Sequence, residues 1–139
     1  MRRRAGLILL STLTALTVAT PAQAHAAAGW QCWANSYQND GDAGGRSAYT
    51  QFLYNNSTTN QVKGNFYALD ERMTLKNGTS YPVILRLFNA RTGAQIGYLS
   101  AAANSPNKIK DLDLAEDIPV KLELTMNRFH VCTATGAIT

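Results

Sequence analysis

Charge is scarce in this sequence, and histidine and cysteine are scarcer. Asp, Glu, Lys and Arg make up 16% of the 139 residues, too few for a disordered polyelectrolyte. Ten glycines and 9% aromatics exclude a collagen-like chain. No apolar run reaches the roughly 18 residues of a membrane-spanning helix. Two cysteines and two histidines, with no Cys-x-x-Cys and no spaced His pair, argue against a metal centre. Neither a Gly-x-Ser-x-Gly elbow nor a Gly-rich phosphate loop is present, so no cofactor is expected. There is no internal repeat and no linker. What remains is a length that holds one modest core and no second one.

The first two dozen residues have a separate logic. Arg2, Arg3 and Arg4 precede an apolar stretch over 5–19, and Ala22-Gln23-Ala24 follows Thr20-Pro21. A basic start, a short apolar run and small residues at the cleavage positions make 1–24 a secretory signal peptide. The frames Ala24-His25-Ala26 and Ala26-Ala27-Ala28 place the cut between Ala24 and Ala28. Intact-mass measurement of the exported protein should therefore give a chain beginning within those residues. A mass that retains Arg2–Arg4 would overturn the expected secreted, extracellular location. The remaining domain, 25–139, keeps 10 of the 13 Lys and Arg and all 9 Asp and Glu, so its net charge is +1 rather than +4. Its basic residues are scattered singly, which disfavours nucleic acid and, after signal cleavage, a membrane surface as partners.

Cys32 and Cys132 both lie in this domain. An oxidising destination predicts one disulfide between them; two buried thiols or half of a metal site are the competing readings. A bridge closing a loop near 100 residues is worth up to about 4.7 kcal/mol in the chain-entropy model.

Period two runs through most of the domain. Gly, Asp and Asn crowd 36–47, which reads as a loop, and 48–54 is the first expected strand. A polar tract, 55–61, connects it to 62–69, where Val62, Gly64, Phe66 and Ala68 share one face and Lys63, Asn65 and Tyr67 the other. A strand over 72–76 meets Asn77-Gly78, a strong two-residue hairpin signal, with the return strand expected after Pro82. Strands at 83–88 and 95–100 flank a turn at Thr92-Gly93, and 101–107 reads as a loop. A weaker strand covers 109–114, with a single helical turn expected over 112–117. The clearest strand is 119–126, where Val120, Leu122, Leu124 and Met126 oppose Lys121, Glu123 and Thr125. Asn127-Arg128 then turns the chain into 129–132. About seven short strands, with turn signals roughly every 8–12 residues, predict an all-β domain: a small antiparallel β-sandwich, or alternatively a small β-barrel.

The stretch 66–137 includes Ala68-Leu69-Asp70-Glu71-Arg72-Met73-Thr74-Leu75, Thr92-Gly93, Asp113-Leu114-Ala115-Glu116-Asp117 before a Val/Leu strand, and a late Cys132. It resembles small secreted actinobacterial proteins with a β-sandwich-like domain and no assigned activity. Thr125 and Met126 stand where that pattern has a basic residue and a Cys. The resemblance implies fold and compartment and carries no functional residue across.

No catalytic residue is expected. His130 is the one histidine well inside the domain and has no nucleophile motif near it. Asp70, Glu71, Asp111, Asp113, Glu116 and Asp117 offer carboxylates for glycoside hydrolysis, but they fall where solvated turns and strand ends carry acid anyway. Asp40-Gly41-Asp42-Ala43-Gly44 opens like a calcium loop and lacks the closing Glu. Asn55, Asn56 and Asn77 fit the glycosylation pattern. The aromatic residues are more suggestive. Trp30, Trp33, Tyr37, Tyr54 and Tyr67 are the ligand-binding candidates, since Trp and Tyr join apolar area to a polar tip; covering the core and the Cys32 bridge is the competing use. The expected function is non-catalytic binding or coating, with an extracellular polysaccharide or protein as partner. A secreted hydrolase inhibitor presenting 39–46 or 55–61 is the alternative, and a small hydrolase the third reading.

Overall fold

The alternation becomes nine antiparallel strands in a computed structural model that describes residues 29–38, 41, 44–128 and 130–139. They are β1 (Trp30–Gln38), β2 (Arg46–Tyr54), β3 (Ser57–Tyr67), β4 (Arg72–Asn77), β5 (Val83–Asn89), β6 (Gln95–Ala101), β7 (Ser105–Asp111), β8 (Pro119–Met126) and β9 (His130–Ile138). The signal peptide expected over 1–24 lies outside the described residues. Among those described there is no helix, and so none long and apolar enough to cross a membrane.

Strand order is β6-β5-β8-β9-β2-β3-β4-β7, with β1 laid on β2. Arg46↔Ile138 is the only paired position between β2 and β9. The path therefore folds into two layers, β1-β2-β3-β4-β7 and β6-β5-β8-β9, that face each other across the core. The sheet is nearly closed, so sandwich and barrel both describe it. The inward faces meet in a set of fully buried side chains that includes Phe66, Met73, Leu75, Leu85, Leu122 and Leu124. Two glycines let the layers approach. A Cβ on Gly64 would run into Leu85 Cδ1 and lie 3.1 Å from its Cγ, while one on Gly97 would lie 2.5 Å from Met73 Sδ. Gly64→Ala is thus expected to destabilise the domain by about 1–3 kcal/mol, the usual cost of overpacking a well-filled core. Urea denaturation decides it, and an unchanged midpoint would mean that Leu85 has room to move.

The disulfide is present: Cys32 and Cys132 are bonded, with their Cα atoms 5.4 Å apart. This pairing is compatible with an extracellular location. It also has a mechanical role. β1 is hydrogen-bonded to β2 alone, and β9 meets β2 at one position, so the bridge ties β1 to β9 across the seam between the layers. Cys132 Sγ lies 3.6 Å from the carbonyl oxygens of both Trp33 and Gln51.

Several local expectations change. Asn77-Gly78 is not a hairpin turn: β4 pairs with β3 and β7, while β5 pairs with β6 and β8. The buried Asn77 side chain instead organises the crossing from one layer to the other. Its Nδ2 donates to the carbonyls of Tyr81 (2.8 Å) and Ala102 (2.7 Å), and its Oδ1 accepts from the Thr79 amide (3.0 Å) and hydroxyl (2.7 Å). Two successive positive φ angles occur instead at Asn55-Asn56, 49° and 59°, joining Tyr54 to Ser57, and at the expected turn Asn127-Arg128, 50° and 62°, after β8. Asn tolerates the left-handed region better than other residues with a Cβ, which is what the Asn55-Asn56 turn demands. Most of the tract expected to connect strands, 57–61, is therefore strand. The single helical turn expected over 112–117 does not form; Leu112 and Leu114 pack against the core without strand pairing. The expected loop over 101–107 becomes β7 from Ser105, and Pro106 is tolerated because β7 ends the strand order.

Candidate functional site

Strand alternation decides which side chains reach the outer face of the five-stranded layer. Burying Ala48, Thr50 and Phe52 turns Tyr49 and Gln51 outward on β2. The same rule places Gln61, Lys63, Asn65 and Tyr67 outward on β3, and Thr74 and Lys76 on β4. Register then aligns them into rows. One row runs Trp33↔Gln51↔Lys63↔Lys76 across four strands, and the next runs Asn35↔Tyr49↔Asn65↔Thr74↔Ile109 across five.

The rows enclose a groove of about 560 Å³. Its amides come from Gln51, Gln61, Asn65 and Asn107, its hydroxyls from Tyr67 and Thr74, and its cations from Lys63 and Lys76. Internal hydrogen bonds hold part of this surface. Gln51 Nε2 donates to Gln61 Oε1 at 2.6 Å, and Asn65 Nδ2 to Thr74 Oγ1 at 2.9 Å. Lys63 Nζ lies 5.4 Å from the centre of the Tyr49 ring, within cation–π range. Trp33, one strand beyond Gln51, is 51% exposed. At the other end of the face Tyr37 and Tyr67 are neighbours. Burial, then the Tyr67 phenol, push the Tyr37 hydroxyl's pKa up, against a hydrogen bond with Ser47 that pulls it down.

Three of the five aromatic candidates, Trp33, Tyr37 and Tyr67, thus share this face. Trp30 and Tyr54 do not. Trp30 packs against the core, edge-on to Tyr54 at 5.2 Å and to Tyr81 at 6.2 Å, and so serves the covering role. Residues missed in the sequence are the polar groove liners: Gln51, Gln61, Lys63, Asn65, Thr74 and Lys76. Their signal is legible in retrospect. From 43 to 69 the chain has no Asp or Glu, so the wet faces of two successive strands carry amides, hydroxyls and lysine with no carboxylate among them.

Carboxylates lie elsewhere. Asp111 accepts from Arg72 Nε at 2.9 Å, and Asp70 lies 3.8 Å from Arg72 Nη1. Glu71 Oε2 accepts from the Leu114 amide at 2.6 Å, and Glu123 pairs with Arg86 and Lys121 on the opposite layer. Asp113, Glu116 and Asp117 stay exposed in the segment before β8. None of these lines the groove. His130 packs edge-on against Phe52 at 6.1 Å, with its Nδ1 buried. No group of three metal-ligating side chains occurs among the described residues. Asp40 and Asp42 of the calcium-like motif, and with them much of 39–46, lie outside the described residues. Asn77, at 1% exposure, is closed to glycosylation, whereas Asn55 and Asn56 are exposed in their turn.

The likeness to secreted actinobacterial proteins gains no support from comparison: no protein-family model, no curated protein and no solved structure matches the chain.

Proposed function

We propose that the outer face of the five-stranded layer binds an extracellular polysaccharide without transforming it. The observation that carries this reading is the half-exposed Trp33, paired across β1 and β2 with Gln51 of a groove walled by amides and hydroxyls. A sugar ring has an apolar C–H face and a rim of hydroxyls that both donate and accept. An indole suits the first, and Gln and Asn, each with two donors and an acceptor oxygen, suit the second. The groove's volume falls within the roughly 300–1,000 Å³ typical of small-molecule sites, enough for a short run of sugar units. Export by the signal peptide would deliver the domain to such polymers, and the bridge would keep it folded there.

Affinity electrophoresis against a panel of soluble polysaccharides tests the reading. The domain should be retarded by at least one of them, and Trp33→Ala should weaken that binding by about 1–3 kcal/mol, the range for an exposed aromatic at the centre of a contact. Tyr98→Ala is the control, since Tyr98 is 41% exposed on β6 of the other layer. Equal losses from the two substitutions would move the site off this face. Release of new reducing ends by the wild-type domain would replace binding with hydrolysis.

A further inference from the structure

We propose that the polysaccharide is anionic, and that its uronate carboxylate or sulfate ester sits between Lys63 and Lys76. The inference rests on the polysaccharide reading of the same groove and adds the chemical class of the sugar. Lys63 and Lys76 are direct cross-strand partners on β3 and β4, both exposed and both lining the groove. Like charges placed directly opposite each other on a sheet are destabilising. Among the described residues no anion offsets them: neither lysine forms an ion pair, no carboxylate lines the groove, and Lys63 has only the face of the Tyr49 ring, 5.4 Å from its Nζ.

The nearest acids on this face are engaged further along β4, where Arg72 holds Asp70 and Asp111. Lys76 and Arg72 are four residues apart on one strand, about 13 Å at the usual rise, which exceeds the screening length of roughly 8–10 Å at physiological salt. The pair is therefore an uncompensated positive centre bordered by neutral donors, Gln51 and Asn65 on one side and Asn107 on the other. An anion bridging two ammonium groups would relieve their repulsion and form charge-assisted hydrogen bonds, while Trp33 and Tyr67 remain free to meet neighbouring sugar rings.

Matched polymers separate this inference from the parent reading. Polygalacturonate is compared with its methyl ester and dextran sulfate with dextran, so each pair shares a backbone and differs in charge. At least one anionic member should bind tenfold or more tightly than its neutral counterpart, and the preference should shrink as salt is raised. Lys63→Gln and Lys76→Gln should each weaken that binding severalfold while leaving thermal stability unchanged or higher, because each removes a repulsion. Lys121→Gln, on the opposite layer, should bind as the wild type. Equal affinity for neutral and charged partners, lost in Trp33→Ala and untouched by the lysine substitutions, would overturn the anionic class and keep the polysaccharide reading. Retention by no polymer of either kind would overturn both. Tighter binding to single-stranded DNA than to any polysaccharide would reassign the groove to another polyanion and sink the inference.

Discussion

Removing the Cys32–Cys132 bridge is expected to destabilise the domain by about 2–5 kcal/mol, the range for native disulfides in small exported domains. The bridge spans a sequence separation of 100, so in the chain-entropy model its effect approaches the upper part of that range. A typical domain has only about 5–15 kcal/mol in total. Thermal unfolding of the Cys32→Ser, Cys132→Ser double variant should show a drop in Tm on the order of 10 °C or more. The loss should also have a location. Because β1 has β2 as its one hydrogen-bonded neighbour, hydrogen exchange should accelerate first in β1 and along β9, with β5 and β8 protected longest. Since Trp33 sits on β1 next to the bridge, reduction should also weaken the proposed polysaccharide binding before the core unfolds. An unchanged Tm with intact protection of β1 would mean that the seam is held by packing alone.

Asn77→Ala should cost about 2–4 kcal/mol, large for a polar residue with so small a side chain. The amide makes four hydrogen bonds that no other group supplies together. Its removal orphans the buried Thr79 amide, at about 1–3 kcal/mol for a buried group left unpaired, and takes a donor each from the carbonyls of Ala102 and of Tyr81, which keeps the Thr79 hydroxyl at 3.3 Å. Ala102 follows β6 and Tyr81 precedes β5, so Asn77 pins the end of one layer to the other. Asn77→Asp keeps the acceptor but sets a buried carboxylate oxygen against the Tyr81 and Ala102 carbonyls, so at neutral pH it should cost at least as much as Ala in urea denaturation. A loss below about 1 kcal/mol for Asn77→Ala would show that water replaces the amide without penalty.

The contrast between Asn77-Gly78 and Asn55-Asn56 shows where local reading stops. Both dipeptides can adopt the left-handed region that a tight hairpin needs, and Asn-Gly does so more readily. The chain uses the turn where the flanking segments, β2 and β3, pair with each other. Around Asn77 the flanking segments belong to different layers, and the preference is overridden by partners 25 residues away in sequence. β1 was hidden for a different reason. Trp30 and Cys32 serve one face of that strand and Trp33 and Tyr37 the other, so both faces look apolar and the alternation is blurred. β7 ends the strand order and buries none of its residues, so it leaves no period to detect.

Composition and alternation were enough for the all-β class, the pairing of the two cysteines and the inward faces of β3 and β8, where Val62, Phe66, Leu122 and Leu124 are buried as expected. These features are local or combinatorially unique: a period of two marks which face is dry, and two cysteines allow one pairing. Strand order, the two-layer division and the groove were settled only by tertiary structure. Lys63 and Lys76 are 13 residues apart, and they become neighbours only because β3 and β4 pair in one register. A slip of one residue would turn the whole face inward, and the buried Val62, Phe66 and Leu75 are what forbid it.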